Sequence, residues 1–400
     1  MKILFVSADP IPHVGGKSSH VESLISRYRQ LGIECDLFCS GNINNSGIFL
    51  YRRIYFKLLR LLSNNLFLYR WRKCVKKIMS KEILRLQEQN QYDAVSCQDA
   101  ISAVCCWRLR GRFPCVPITL TMHTYFGIEC TLDGGIKENS RLYRRICQFE
   151  ESSLSYIDNA VAVDERIREH LEMHIKKHRY DVGLTSIKNF TNTDIFKSVI
   201  SNEERNDFRY KHNLEETDFV GICVRRLVEK NGVIFAADAF RYIKETNIKL
   251  MVLGTGPEMD SIQRIIKEND LQNRVILCGE VSNDRVLAYY QACDYAVVPS
   301  ITVNGLQEAT SISAIEAMSC SLPTIASSIG GLKEMIVNDK NGILVEEKDS
   351  IGIANAITAL YQDKEKYDEI AKNARNSVIK RYSHIVAADE YLKVFLNEKE

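Results

Sequence analysis

The sequence predicts an α/β protein with two doubly wound parallel sheets. Short apolar runs rich in β-branched residues alternate with helical stretches through the first half of the chain, and the same rhythm begins again in the second half. Strands that are apolar on both faces and are joined by helices are typical of buried parallel sheets. The 400-residue chain also exceeds the usual size of one hydrophobic core. We therefore expect two domains.

The predicted strands are the apolar runs themselves, at 3–8, 35–39, 94–96, 117–122 and 160–163, and then at 219–224, 250–253, 275–278, 295–299 and 324–326. Turn-forming residues at 189–194 precede a polar stretch at 201–218, which places the domain boundary near residue 195. Apolar residues at helical spacing predict an amphipathic helix over 382–396.

Composition restricts the environment and the partners that we expect. The net charge of +2 favours no nucleic acid or other polyanion. Thirteen cysteines without a CxxC pair fit reduced thiols better than a disulfide framework or a zinc site. The apolar start is too short for a signal-peptide core, and no stretch is long and apolar enough to span a membrane. These features predict a cytoplasmic protein.

The segment 48–81 differs from the rest of the first half. It has no acidic residue, and its lysines and arginines, among them Lys73, Lys76 and Lys77, are interleaved with aromatic residues. Basic aromatic helices can lie in the headgroup layer of an anionic bilayer, which would make the protein peripheral at the inner face of the plasma membrane. The same composition fits a solvated helix face or a basic wall for a phosphorylated acceptor.

A glycine pair follows the first predicted strand. Gly15 and Gly16 stand where a helix begins, and glycines there let backbone N–H groups approach a phosphate. A tight turn without a ligand explains the pair equally well. The G-x-G-x-x-G fingerprint is absent, which counts against a nicotinamide or flavin enzyme.

Charged residues in the second half suggest a diphosphate site. Arg226 and Lys230 are four residues apart after a strand and could face one pyrophosphate if their loop opens a helix. Glu308 and Glu316 are eight residues apart, a spacing that predicts one helical face, with one carboxylate near a sugar and the other near a ribose diol. Apolar neighbours indicate that this helix is partly buried.

Eight segments, taken in order, resemble the serial motifs of glycosyltransferase family 4. They are 10–16, 121–124, 189–196, 226–230, 254–258, 299–300, 308–318 and 329–332. The resemblance implies the GT-B fold, with two Rossmann-like domains around an interdomain cleft. It implies an acceptor-binding domain at 1–194, a nucleotide-sugar-binding domain at 195–379, and a terminal helix at 380–400 that packs back on the first domain.

The resemblance also implies roles for individual residues. Arg226 and Lys230 would neutralise the departing diphosphate without a metal, while Glu308 and His123 would contact the donor sugar. The donor-binding set that it implies comprises Gly15, Gly16, Gly254, Glu280, Val281, Ala309, Thr310, Ser311, Ile312 and Glu316. The implied reaction is a retaining transfer from a nucleotide sugar, with UDP favoured over GDP and no cofactor, to a lipid-linked or oligosaccharide acceptor.

Two positions depart from the family pattern, in which Gly-Arg commonly precedes the leucine. Here Arg225 and Arg226 stand together, and Ala309 begins an unusual sequence after Glu308, so the expected donor sugar stays open. An epimerase or phosphorylase on the same fold, and a non-catalytic binding subunit, are the alternative functions.

Three histidines at helical spacing, His170, His174 and His178, share one predicted helix face. The neighbouring Lys176, Lys177 and Arg179 make that face unfavourable for a cation. We therefore expect no metal site there.

Overall fold

The computed structural model describes residues 1–12, 16–44, 55, 57, 59, 64–127, 136–198, 200–303, 305 and 307–397. The chain forms two compact units. Unit 1 comprises Met1–Lys188 together with Ala387–Glu400, and unit 2 comprises Asn189–Val386. Unit 2 thus begins at Asn189, six residues before the predicted start at 195. The chain returns to unit 1 at Ala387, seven residues after the predicted position 380.

Unit 1 contains a six-stranded parallel sheet in the order β2-β1-β3-β4-β5-β6. The strands are β1 (Lys2–Ser7), β2 (Glu34–Cys39), β3 (Ala94–Cys97), β4 (Ile118–Met122), β5 (Asn159–Ala162) and β6 (Gly183–Ser186). The helices between them are α1 (Gly16–Gln30), α2 (Ser40–Asn44), α3 (Asn64–Asn90), α4 (Ala100–Cys105), α5 (Trp107–Arg112), α6 (Arg141–Ser153) and α7 (Glu165–His178).

The central strands of unit 1 are buried on both faces. The side chains of β3 and β4 are all buried, and β1 is buried from Ile3 to Ser7. Helices therefore cover both sides of the sheet, as a doubly wound arrangement requires. The chain leaves β1 for β2 on one side and then places β3 on the other side, which makes β1 and β3 the point where the strand order reverses.

Unit 2 repeats this plan with the strand order β12-β11-β10-β7-β8-β9, again all parallel. Its strands are β7 (Phe219–Val224), β8 (Ile248–Leu253), β9 (Val275–Gly279), β10 (Tyr295–Val298), β11 (Thr324–Ser327) and β12 (Ile343–Val345). Its helices are α8 (Asn202–Lys211), α9 (Val233–Ala239), α10 (Met259–Glu268), α11 (Asn283–Ala292), α12 (Ile312–Ser319), α13 (Gly330–Met335), α14 (Ser350–Gln362) and α15 (Lys364–Arg381).

The last helix, α16 (His384–Phe395), confirms the predicted terminal helix. From Ala387 onward it belongs to unit 1. The Tyr28 hydroxyl donates a hydrogen bond of 2.9 Å to the Ala388 carbonyl, and the Phe395 ring packs edge-on against Phe5. This helix thereby contributes to the core of unit 1.

The two sheets confirm the predicted fold class, and the sequence missed two strands. These are β6 and β12, which lie at sheet edges. The side chains of β6 are mostly exposed and β12 has three residues, so neither has the long apolar run by which a buried strand is detected. No helix in the described part of the chain is both long and apolar enough to cross a bilayer.

Candidate functional site

The reversal point of the sheet in unit 2 lies between β7 and β10. Ligands of doubly wound sheets bind beyond the carboxyl ends of the strands at such a point. Two loops begin there, one after Val224 and one after Val298. The Ile301 amide donates a 2.9 Å hydrogen bond to the Lys230 carbonyl, which joins the two loops.

Arg225 and Glu308 form an ion pair at this point. Arg225 Nη2 lies 2.7 Å from Glu308 Oε2, and Nη1 lies 3.2 Å from Oε1, so the guanidinium fork faces both carboxylate oxygens. The guanidinium also donates to Asn231 Oδ1 at 3.0 Å and to the hydroxyls of Ser300 and Ser311. The side chains of Arg225 and Glu308 are 8% and 17% exposed, which leaves this polar cluster open on one side.

The arginine keeps Glu308 ionised. Burial by itself raises the pKa of this carboxyl group, but the Arg225 guanidinium and the Lys230 ammonium outweigh burial and hold the pKa of Glu308 below its ordinary value. The Ser300 hydroxyl adds a hydrogen bond of 3.3 Å to Oε2. Glu308 is therefore an oriented carboxylate.

Arg226 and Lys230 have different surroundings from Arg225. Arg226 is exposed and Lys230 is half-buried, and neither side chain makes a hydrogen bond or an ion pair with the residues that the structure describes. The loop does not open a helix at Arg226; a short 3-10 turn spans Glu229–Asn231, and α9 begins at Val233. The helical spacing assumed for the two cations is absent, while both remain available to an anion.

Glu308 and Glu316 do not share a helix, which corrects the sequence-based prediction. Helix α12 begins at Ile312 after an extended Ser311, so Glu316 is helical while Glu308 lies in the preceding loop. The Gly331 amide donates a 2.9 Å hydrogen bond to the Glu308 carbonyl, and this contact together with the Arg225 ion pair holds the loop extended. Tertiary contacts override the local helical pattern here.

Glycines allow this close approach of backbone segments. A Cβ atom on Gly331 would lie 2.5 Å from the Ala309 carbonyl carbon, and one on Gly330 would lie 2.2 Å from the Glu308 carbonyl oxygen. Gly254 has a φ of 138°, and a Cβ atom on this residue would lie 1.9 Å from the Arg225 carbonyl oxygen. The predicted donor-binding Gly254 thus packs against the Arg225 backbone.

Glu316 is a buried carboxyl group. The Tyr290 hydroxyl lies 3.2 Å from Glu316 Oε2 and also 3.2 Å from the Ser313 carbonyl. Burial raises the pKa of Glu316 to about 8, against the weaker opposing effect of the Tyr290 hydrogen bond. At neutral pH the side chain is mostly protonated. Its partner Tyr290 was not identified from the sequence.

The remaining predicted donor-binding residues have varied positions. Ala309, Thr310 and Ser311 form the loop before α12, and Ile312 is its first helical residue. The Thr310 carbonyl accepts a 2.9 Å hydrogen bond from Asn189 Nδ2, which ties the 189–196 motif to this loop.

Glu280 and Val281 follow the edge strand β9, two strands away from β7. Glu280 is exposed, and Val281 packs against the apolar core of unit 2. Gly16 is the first residue of α1 in unit 1, and Gly15 lies outside the described residues.

In unit 1, His123 follows β4 and contacts Gln98, which follows β3 at the reversal point of that sheet. His123 Nε2 lies 3.1 Å from Gln98 Oε1, and its ring meets His20 edge-on at 4.7 Å. Burial, His20 and the Lys17 ammonium hold the pKa of His123 well below its ordinary value, so the ring is neutral at pH 7. Lys17 pairs with Asp9, and its ammonium is 3.8 Å from Asp99 Oδ2.

A pocket of about 230 Å³ is lined by Asp9, Lys17, Gln98, Asp99 and His123. Its other wall is apolar and includes Ile101, Met122 and Phe126. The pocket therefore offers polar groups on one side and carbon surface on the other.

The three histidines at helical spacing lie on α7 as predicted, and each faces a carboxylate of α6. His170 Nε2 is 2.9 Å from Glu150 Oε1, whereas His178 Nε2 is 3.0 Å from Glu151 Oε2. Glu151 and the imidazoles of His174 and His178 have ligand atoms within 4.8 Å of one another.

A metal ion would have to compete for this carboxylate, because the Lys177 ammonium lies 3.2 Å from Glu151 Oε2. The prediction that no metal binds here stays a prediction.

The basic segment is described only in part. Residues 45–54, 56, 58 and 60–63 lie outside the described residues, as do the side chains of Phe67, Tyr69, Trp71 and Lys73. In α3, Lys77 and Lys81 are exposed, while Val75 and Met79 belong to the core of unit 1. The described end of this segment is an amphipathic helix with lysines on its open face.

The residues that sequence reasoning missed are the partners of the predicted carboxylates. Arg225, Asn231 and Ser300 surround Glu308, and Tyr290 contacts Glu316. A signal for Arg225 existed: alternation along β7 places it on the same side as the buried Cys223 and places Arg226 on the other side.

Family models matched to both units identify the class of protein as a glycosyltransferase. The family model described as Glycosyltransferase Family 4 matches residues 14–182, and that described as Glycosyl transferases group 1 matches residues 204–377. The chain belongs to glycosyltransferase family 4, as its motifs predicted.

Several known proteins are similar to it. An uncharacterised glycosyltransferase of Methanocaldococcus jannaschii is 26% identical over 99% of this chain and 98% of its own length. The lipopolysaccharide 1,2-N-acetylglucosaminetransferase of Salmonella typhimurium is 27% identical over 45% of this chain and 48% of its own. A crystal structure of Anabaena Alr3699/HepE in complex with UDP and glucose has a TM-score of 0.70 at 18% identity, covering 100% of both chains, and confirms the GT-B fold.

Proposed function

We propose that this glycosyltransferase transfers a sugar from a nucleoside-diphosphate sugar to an acceptor hydroxyl, with retention of anomeric configuration and without a metal ion. The donor binds to unit 2. Lys230 and Arg226 bind the diphosphate, Glu308 hydrogen-bonds a hydroxyl of the sugar, and Glu316 hydrogen-bonds the ribose diol. UDP is the favoured nucleotide.

The observation that carries this proposal is the oriented carboxylate of Glu308 beside the Lys230 ammonium, with the exposed Arg226 in the same loop. Arg226 and Lys230 have no hydrogen bond or ion pair among the described residues, and the Lys230 ammonium acts on Glu308. As the bond between the sugar and the diphosphate breaks, negative charge grows on the phosphate oxygen. Fixed cations that meet this charge lower the barrier in the way a metal ion does elsewhere.

Retention follows if the acceptor attacks from the face that the diphosphate leaves. The acceptor oxygen forms a bond to the anomeric carbon while the bond to the phosphate oxygen breaks. The proton of the acceptor hydroxyl passes to the departing phosphate oxygen, which lies on the same face. A covalent sugar–enzyme intermediate is then unnecessary.

The acceptor that we propose is a lipid-linked or oligosaccharide hydroxyl in the assembly of a surface polysaccharide or glycolipid. The name of the Salmonella relative, a lipopolysaccharide acetylglucosaminyltransferase, supports this direction. The exposed Lys77 and Lys81 of α3 would contact an anionic membrane from the cytoplasmic side. Flotation with anionic vesicles tests this contact, and retention by vesicles that is unchanged in a Lys77→Gln/Lys81→Gln variant argues against it.

The test of function begins with thermal shift against UDP-, GDP- and ADP-glucose, because a ligand of the native state raises the unfolding temperature. The nucleotide that binds is then supplied with candidate oligosaccharide acceptors in the presence of EDTA. We expect transfer to proceed without a metal, and NMR of the product to show the anomeric configuration of the donor.

Matched variants identify the catalytic class. Lys230→Ala should abolish most transfer, whereas Lys267→Ala, an exposed lysine on α10, should not change it. Release of an epimerised donor without acceptor, or a requirement for inorganic phosphate, would point to an epimerase or a phosphorylase instead. Full activity of both Lys230→Ala and Glu308→Ala would show that Lys230 does not bind the diphosphate and that Glu308 does not bind the sugar as proposed.

A further inference from the structure

Two adjacent arginines of unit 2 have opposite surroundings. Arg225 is buried and donates to Glu308, Asn231 and serine hydroxyls, while Arg226 is exposed and makes no such contact among the described residues. The family pattern has glycine at the position of Arg225, so no role is carried over to it from the resemblance.

Glu308 retains one position for a ligand. A carboxylate offers about four lone-pair positions for hydrogen bonds. Arg225 occupies one on each oxygen, and the Ser300 hydroxyl occupies a second one on Oε2. The Glu308 side chain is still 17% exposed, and Arg225 is the one described residue that donates a hydrogen bond to Oε1, so this oxygen has a position for a ligand.

The charged groups that face Glu308 in the described part of the chain are Arg225 and Lys230. They come from the same loop after β7, but only Arg225 contacts the carboxylate directly. Lys230 would turn to the diphosphate when a donor binds, which leaves Arg225 as the group that keeps Glu308 charged. Removing a partner from a buried carboxylate favours its protonated form.

We infer that Arg225 is a positioning residue of the donor site, which holds Glu308 ionised and oriented so that it accepts a single hydroxyl of the donor sugar. This inference rests on the proposed function, because it assumes that Glu308 meets the sugar. It assigns Arg225 to sugar recognition and leaves the diphosphate to Arg226 and Lys230. Replacing Arg225 and replacing Arg226 should therefore change different binding affinities.

The experiment measures by calorimetry how tightly Arg225→Gln and Arg226→Gln bind a free nucleotide and the matching nucleotide sugar. The pairs are UDP with UDP-glucose, GDP with GDP-glucose and ADP with ADP-glucose. In the wild type, the attached sugar adds affinity over the free nucleotide. Arg226→Gln should weaken both members of a pair equally, by about tenfold for one lost charge-assisted contact. Arg225→Gln should leave the free nucleotide within about twofold and remove most of the affinity that the sugar adds.

The pH dependence separates positioning from a general loss of structure. In Arg225→Gln, the sugar-dependent affinity should be lost at pH 6 and recover toward pH 9, because Glu308 must ionise without its partner. Arg225→Lys, which restores the charge without the fork, should recover affinity at pH 6. Arg226→Gln should keep the wild-type pH profile. If Arg225→Gln does not fold, Arg225→Lys is compared with the wild type instead: without the two-pronged contact to Glu308 it should bind the free nucleotide equally well and lose part of the affinity that the sugar adds.

Three outcomes would overturn the inference. The sugar-dependent affinity of Arg225→Gln could equal that of the wild type from pH 6 to 9. Arg225→Gln could instead lose free nucleotide and nucleotide sugar equally, which would assign Arg225 to the diphosphate. Failure of the wild type to bind any of the three nucleotides would remove the proposed function itself, and is recognised before any variant is tested.

Discussion

The residues near the reversal points of the two sheets differ in how far their charges are paired. In unit 1, the Lys17 ammonium is held by the carboxylates of Asp9 and Asp99, and His123 is neutral. In unit 2, Arg225 is neutralised by Glu308, but Arg226 and Lys230 make no hydrogen bond or ion pair among the described residues. The pocket of unit 1 thus has two carboxylates for one ammonium, whereas the loop of unit 2 has two cations outside any ion pair among the described residues.

This difference shows that a shared sheet topology does not fix what its reversal point binds. Two doubly wound sheets place loops at equivalent positions, and the charge left over in those loops decides between ligands. A diphosphate is favoured where cations are unpaired. A sugar hydroxyl is suited to a pocket in which polar groups, such as His123 and Gln98, lie near a carbon surface such as Phe126.

The largest effect should come from the unpaired lysine of unit 2. Lys230→Ala should lower the rate of transfer by about 10²–10³, the usual range for removing one group that stabilises charge in a transition state. Lys17→Ala in unit 1 should leave the affinity for UDP unchanged, because its charge is already compensated. Steady-state kinetics and nucleotide calorimetry measure both effects. A loss of UDP affinity in Lys17→Ala would break the contrast between the units.

The buried Glu316 should make unit 2 less stable as pH rises. Its pKa in the folded state, about 8, is above the unfolded value, so its contribution is full below pH 4.5 and is lost as pH rises through 8. Between pH 5 and 8 the loss is about 3 kcal/mol. Glu316→Gln should gain stability relative to wild type over this range, as followed by chemical unfolding. A difference that does not vary with pH would contradict this.

Crowding the Glu308 loop should destabilise unit 2 and reduce transfer. Alanine at Gly331 would bring a Cβ to 2.5 Å from the backbone of Ala309, so the loop that carries Glu308 must move. Overpacking of this kind costs about 1–3 kcal/mol. Gly111→Ala in unit 1 is the control, because its Cβ would meet nothing within 4 Å. Gly331→Ala with wild-type melting temperature and activity would show that the loop is not held there.

The smallest effect should come from His20 of unit 1, with a pH dependence opposite to that of Glu316. Burial lowers the pKa of His20 to about 3, below its unfolded value. Its contribution to stability is therefore present above pH 6.5 and is lost as pH falls. At pH 5.5 the loss is about 1 kcal/mol. His20→Asn should be less sensitive to acid than the wild type in thermal unfolding, and equal sensitivity would reject the assignment.

Local sequence patterns predicted most of the fold but only part of the site. The buried strands and the terminal helix were predictable because each is a continuous apolar run or has a helical period. The edge strands β6 and β12 were missed because their pattern is short or polar. Glu308 and Glu316 were predicted to share one helix because their spacing fits a helical period. Spacing alone does not reveal that Glu308 lies in a loop held by contacts with glycines distant in sequence.

The amino-acid sequence by itself determined the two parallel sheets, the family and the identity of most charged residues of the proposed donor site. Only the tertiary structure decided which arginine is neutralised, which cations stay unpaired and where α12 begins. The physical reason is that apolar periodicity is a local property of the chain. The pairing of Arg225 with Glu308 joins residues 83 positions apart, and no local pattern specifies such a contact.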